Sequence, residues 1–186
     1  MNTEQNYSSM IDWLKETYSK LASSYGNILI YSALTGLRSD EACESIKLVH
    51  NDFDNYVNKK SLMLEHFKYP EVFIRRTKKA YISIVTDSII ELAKQSSSCG
   101  YNALRLAVKR KKLQMNMAYC RKIFATHLKG NGIEQETIDL LQGRTQKSVF
   151  ARYYYRPDFD YDKVKACITS LYQVLSDAGV AESNRK

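Results

Sequence analysis

Apolar residues recur with a helical period along almost the whole chain, and the pattern breaks in one window only. That limits the fold to a helical body carrying one small sheet. Met10, Ile11, Trp13, Leu14, Tyr18 and Leu21 fall at spacings of three and four. They form one apolar stripe, which predicts a helix near Ser9 to Ser24. Gly26 is read as its break, Asn27 to Leu34 as a buried second helix, and Thr35-Gly36 as a turn. Ser39-Asp40-Glu41 then signals a third helix start and leaves Arg38 at that helix's opening. Between Ser61 and Val85 the segments Leu62 to Leu64, Val72 to Ile74 and Tyr81 to Val85 are short, β-branched or aromatic. They predict a three-stranded antiparallel sheet, with Arg75, Arg76, Thr77, Lys78 and Lys79 crowding the turn between the last two strands. Beyond Asp87 the expected helices are Ser88 to Gln95, Ala103 to Lys112, Met115 to Lys129, Glu134 to Leu141, Lys147 to Tyr155 and Tyr161 to Leu175. The expected class is α+β, mostly α-helical, with the sheet beside a helical bundle.

Composition narrows the function. The 186 residues, 44% of them hydrophobic, suit one core, so a single domain over 1–186 is expected. The formal net charge is +8, and Tyr101 to Gly132 holds Arg105, Lys109, Arg110, Lys111, Lys112, Arg121, Lys122 and Lys129 with no Asp or Glu. Such a cluster points to a polyanion, nucleic acid above all. A polar amino terminus and the lack of any run of about 18 apolar residues argue against a signal peptide or a membrane span, and for the cytoplasm. Cys43, Cys99, Cys120 and Cys167 form no CxxC, and His50, His66 and His127 lie far apart, so free thiols and no zinc are expected. With no GxGxxG or GxxxxGK[ST], and only 7 Gly and 2 Pro, neither nucleotide-driven chemistry nor a loop-rich chain is indicated.

Three segments carry a resemblance. Thr35-Gly36-Leu37-Arg38-Ser39-Asp40-Glu41 looks like a TGLRxxE box. Tyr119-Cys120-Arg121-Lys122-Ile123-Phe124-Ala125-Thr126-His127-Leu128 resembles a helix of form HxLRHTFATHL. Ile138-Asp139-Leu140-Leu141-Gln142-Gly143-Arg144, followed by Arg152-Tyr153-Tyr154-Tyr155, resembles an LLGH turn and a helix bearing a nucleophile. In this order, and with 23 residues from Arg121 to Arg144, they resemble the catalytic domain of the tyrosine recombinase, or phage-type integrase, family. The wording of YCRKIFAT and LLQGR is most similar to integrases of archaeal spindle-shaped viruses (fuselloviruses).

The resemblance implies DNA cleavage and rejoining through a 3′-phosphotyrosyl intermediate, for integration and excision of a viral or plasmid genome. It also implies double-stranded DNA at attachment sites as partner, a homo-tetramer on DNA that is weakly associated or monomeric without it, and a nucleoid location in the host cell. Arg38 and Arg121 would be the catalytic arginines, Glu41 the acid supporting Arg38, and Lys78 on the hairpin the general acid. Arg144 would stand at the histidine position and Tyr154 would be the nucleophile. Physical chemistry agrees with this set. Two guanidinium forks can bind the non-bridging oxygens of a phosphodiester, whose transition state gains negative charge. A tyrosine hydroxyl, with a reference pKa of about 10, needs nearby cations or a base. No metal or other cofactor is then required.

Some positions stay open. Ala118 stands where the family has histidine, with Lys122 and Asn116 as stand-ins. Tyr153 and Tyr155 compete with Tyr154, and Lys79, Arg76 and Arg75 with Lys78. On a helix, successive positions differ by about 100°, so one tyrosine at most faces the phosphate. His127 is read as a packing residue, and the cysteines as small buried hydrophobes. A leading helix to about residue 25 and a C-terminal helix and tail over 158–186 flank the boxes, so the chain is expected to be a catalytic domain without the family's amino-terminal DNA clamp. The alternatives are a catalytically degenerate DNA-binding module of the same fold and a strand transferase like type IB topoisomerases.

Overall fold

The computed structural model describes residues 3–75, 78–144 and 160–177. Ten α-helices occur among them: α1 Thr3–Lys20, α2 Ser23–Thr35, α3 Ser39–Asn51, the short α4 Phe53–Tyr56 and α5 Pro70–Phe73, then α6 Asp87–Gln95, α7 Tyr101–Arg110, α8 Ala118–Gly130, α9 Gln135–Leu141 and α10 Tyr161–Asp177. The strands are β1 Val57–Asn58, β2 Met63–Leu64, β3 Ile74–Arg75, β4 Lys78–Lys79 and β5 Ser83–Ile84. A mostly helical α+β architecture results. None of the described helices is long and apolar enough to cross a membrane.

Helix α2 is the axis of the core. Every residue from Gly26 to Thr35 is buried, as befits a helix that is apolar on all sides. It packs against α1, α3, α6, α8 and α10. Fully burying a leucine or isoleucine side chain contributes about 1.5–3 kcal/mol, and Ile28, Leu29, Ile30 and Leu34 are all at 0% exposure. Gly26, expected to end the first helix, instead lies inside α2. A Cβ there would sit 2.5 Å from the Tyr18 ring, so this glycine allows α1 and α2 to touch, and the chain turns earlier, at Leu21–Ala22.

The three-stranded sheet has the order β1-β2-β5, with Val57 opposite Leu64 and Met63 opposite Ile84. Its membership differs from the expectation. Pro70, at the first helical position, turns Val72 and Phe73 into α5, since its fixed φ suits a helix start and it cannot donate to a ladder. Ile74 pairs instead with Lys79, and Arg75 with Lys78, in a separate two-stranded ribbon. The place of the third strand goes to Val57–Asn58. The expected helix at Lys147 to Tyr155 lies outside the described residues.

A chain of buried side chains joins helices to sheet. Tyr31 and Ser45 hydroxyls meet at 2.6 Å, Ser45 and Tyr56 at 2.6 Å, Tyr56 and His66 Nδ1 at 2.7 Å, and His66 Nε2 and Ser83 at 2.8 Å. Burial pushes the His66 pKa down to about 3. The neutral ring then offers one donor and one acceptor, which matches its two partners. These bonds fix α3, which opens at Arg38, to β5, the sheet strand that follows the ribbon.

Candidate active site

Arg38 caps α3 in extended conformation. Glu41, one turn on, accepts from the Arg38 backbone N–H at 3.1 Å and from its guanidinium at 2.8 Å. Glu41 is fully buried and Arg38 only 15% exposed, so this is a shielded, aimed pair rather than a surface ion pair. The turn before it depends on Gly36, whose φ of +69° is left-handed and whose Cβ would lie 2.7 Å from Phe124. Phe124 is on α8, one turn beyond Arg121. The glycine therefore allows the Arg38 turn to approach the Arg121 helix closely.

Arg121 lies in the first turns of α8, half-buried. Its Nη2 donates to the Gln142 carbonyl at 2.8 Å, and the Gln142 side-chain Nε2 donates back to the Arg121 carbonyl at 2.8 Å. Burial, reinforced by the neighbouring Arg38 and Arg144 charges, pushes the Arg121 pKa down to about 10. The group stays charged at neutral pH, within a cluster of cations whose mutual repulsion an anion would relieve.

The turn after α9 gathers the remaining groups. Gly143, at φ +61°, presents its carbonyl to the Lys79 N–H at 3.0 Å and to Arg38 Nη2 at 3.5 Å. Arg144 forms an antiparallel bridge with Lys78, its N–H donates to the Asp139 carbonyl at 2.8 Å, and its Nη1 lies 3.4 Å from the Asp139 carboxylate. Three consecutive residues thus hold Arg121, Arg38 and the β4 strand. Side chains alternate faces along a strand, and Lys78 is half-buried opposite Arg144 whereas Lys79 is exposed. Arg75 is engaged elsewhere, donating to Asp40 at 3.0 Å; Arg76 is outside the described residues.

Arg38, Arg121 and Arg144, from boxes far apart in sequence, and Lys78 from the hairpin are therefore brought together around one turn. Tyr153, Tyr154 and Tyr155 lie outside the described residues. Ala118 is the exposed first residue of α8 and sends no polar side chain toward Arg121. Lys122 is exposed, with its ammonium 5.7 Å from the Tyr119 ring centre. His127 is half-buried, its Nδ1 3.2 Å from the Tyr7 hydroxyl, and burial pushes its pKa down. All four cysteines are free; Cys43, Cys120 and Cys167 are buried, while Cys99 is partly exposed.

Sequence reasoning passed over Gln142, Asp139 and Asp40 as contributors. The signal for Gln142 was a polar residue between two leucines and a glycine in Leu140-Leu141-Gln142-Gly143. It is fully buried. Outside the cluster, Arg105, Lys109, Arg110, Lys111, Lys112, Lys122 and Lys129 are all exposed along α7, the following turn and α8.

Three guanidinium groups and an ammonium thus surround one turn; Glu41 accepts from Arg38 and Asp139 from Arg144, while Arg121 has a neutral carbonyl as its partner. No curated protein and no solved structure matches the sequence. The family model described as archaeal phage integrase matches residues 6–164. That span takes in α2, α8, the ribbon and the turn that holds the four cations, so the chain belongs to the archaeal phage integrase family.

Proposed function

We propose that the protein is a tyrosine recombinase that cleaves and rejoins double-stranded DNA at attachment sites without a metal or other cofactor. The convergence of Arg38, Lys78, Arg121 and Arg144 on one turn carries this reading. In the first step the hydroxyl oxygen of Tyr154 gives up its proton to solvent and attacks the scissile phosphorus, and the bond from phosphorus to the 5′ oxygen breaks. A 3′-phosphotyrosyl link and a free 5′ hydroxyl result, the leaving oxygen taking its proton from Lys78. Arg38 and Arg121 neutralise the charge on the non-bridging oxygens, and Arg144 adds positive potential without acting as a base. The reverse step on a partner strand completes the exchange, and the phosphotyrosyl bond conserves the energy. The half-buried position of Lys78 opposite Arg144 favours it over Lys79.

The test is a suicide DNA substrate nicked near a candidate site. Wild-type protein should form a covalent adduct and Tyr154→Phe should not; an adduct that survives Tyr154→Phe but not Tyr153→Phe would move the nucleophile by one residue. No adduct on any substrate would leave a DNA-binding module of the same fold, and supercoil relaxation without recombinant product would favour a topoisomerase.

Binding should depend on the exposed cations. Replacing Lys109, Arg110, Lys111 and Lys112 by glutamine should weaken DNA affinity at every sequence tested. It should also flatten the slope of log K against log salt by about 0.9 for each phosphate that is no longer neutralised. An unchanged slope in filter binding between low and moderate salt would remove this surface from the interface.

A further inference from the structure

Two hydrogen bonds of 2.8 Å close a ring between Arg121 and Gln142. The side-chain amide of Gln142 donates to the Arg121 backbone carbonyl, and the Arg121 guanidinium donates to the Gln142 backbone carbonyl. Gln142 is at 0% exposure, so its amide is desolvated and has given up water for this contact. The buried Arg121 Nε and Gln142 Oε1 find no hydrogen-bond partner among the described residues. Unpaired polar groups inside a structure are costly, and these two fall on the same bonded pair of residues.

We infer that Gln142 is a positioning residue for Arg121: its side chain pins the turn to α8, so that its carbonyl aims the guanidinium while leaving the positive charge uncancelled. The contrast with Arg38 is one of charge. Arg38 is aimed by a buried carboxylate, Glu41, which subtracts a charge from the site. A second carboxylate at position 142 would subtract another, whereas an amide and a carbonyl orient the fork and stay neutral. The same turn passes this order onward, because the next carbonyl, that of Gly143, meets the Lys79 N–H and the Arg38 guanidinium. The effect of Gln142 on cleavage rests on the recombinase reading above, whereas its effect on the Arg121 side chain does not.

The experiment compares wild type with Gln142→Met, which keeps volume and loses the amide, using two readouts. The first is independent of activity. In side-chain 15N spectra, with the Arg121 signal assigned by its loss in Arg121→Lys, the Nη protons should be resolved in wild type at low temperature. They should average in Gln142→Met while Tm stays near wild type. Averaged protons in both proteins, or resolved protons in both, would overturn the inference. The second readout is the rate of covalent adduct formation, expected to fall at least about tenfold in Gln142→Met with DNA affinity within about twofold. Adding Gln142→Met to Arg121→Lys should cost nothing further if the residue acts through the guanidinium; additive losses would overturn it. Wild type giving no adduct on any DNA, with the spectral difference present, would refute the recombinase reading and leave the positioning role standing.

Discussion

Arg121→Ala should lower the rate of adduct formation by about 10²–10³-fold, the usual effect of deleting one preorganised donor to a developing negative charge. DNA affinity at fixed salt should change little, because non-specific affinity is spread over many phosphate contacts and this removes one. The geometry explains why so much rests on this side chain. It is half-buried, its carbonyl partner is neutral, and burial, reinforced by the adjacent Arg38 and Arg144, pushes its pKa down. On the proposed mechanism it would meet the phosphate partly desolvated and already oriented, with little reorganisation left to do. Arg121→Lys should recover only part of the loss, since an ammonium lacks the planar fork that contacts two oxygens at once. Parallel suicide-substrate cleavage and equilibrium binding check both statements; a variant that binds and cleaves like wild type would remove Arg121 from the chemistry.

Gly143→Ala should disable the site by a different route. The left-handed φ of +61° costs a residue with a side chain about 2 kcal/mol, or roughly 4–8 °C in Tm for a chain of this size. The new methyl would also lie 2.8 Å from Ala80 Cα and closer still to the Ala80 nitrogen. Those are backbone atoms, so the β4 strand has to move as a whole. The bond from the Lys79 N–H to the Gly143 carbonyl and the bridge between Lys78 and Arg144 would be lost with it. Thermal unfolding should show the lower Tm, and adduct formation should fall even well below that Tm. Gly130→Ala is the control: nothing lies within 4 Å of its Cβ position, in the last turn of α8, so stability should be unchanged or slightly raised. If both substitutions behave alike, close packing of the turn on the ribbon is wrong.

Much of the fold was legible because helices are local. The three-and-four spacing through Met10 to Leu21, the acids of Ser39-Asp40-Glu41 and the apolar run of α2 each act within a turn or two of chain; α6 to α10 stand close to their expected bounds, whereas α1 and α2 both begin earlier, at Thr3 and Ser23. The sheet was read less well for the same reason. Val72-Phe73 has strand-forming side chains, but Pro70 starts a helical turn there, and the pairing of Val57 with Leu64 depends on a reversal that no period announces. Gly26 misled in the same way: a glycine reads locally as a break, and the Tyr18 ring that requires it comes from the preceding helix.

By itself, then, the sequence determined a basic, mostly helical chain with a small sheet, the arginines of its three boxes, and the capping position of Arg38. Only the tertiary structure decided that Lys78 rather than Lys79 stands opposite Arg144, that Arg75 pairs with Asp40, and that Gln142 and Gly143 bind the cations together. The physical reason is range. Capping and periodicity are set by hydrogen bonds between near neighbours in the chain, whereas a cluster of cations forms only where packing outweighs their repulsion, and that balance is struck among residues distant in sequence.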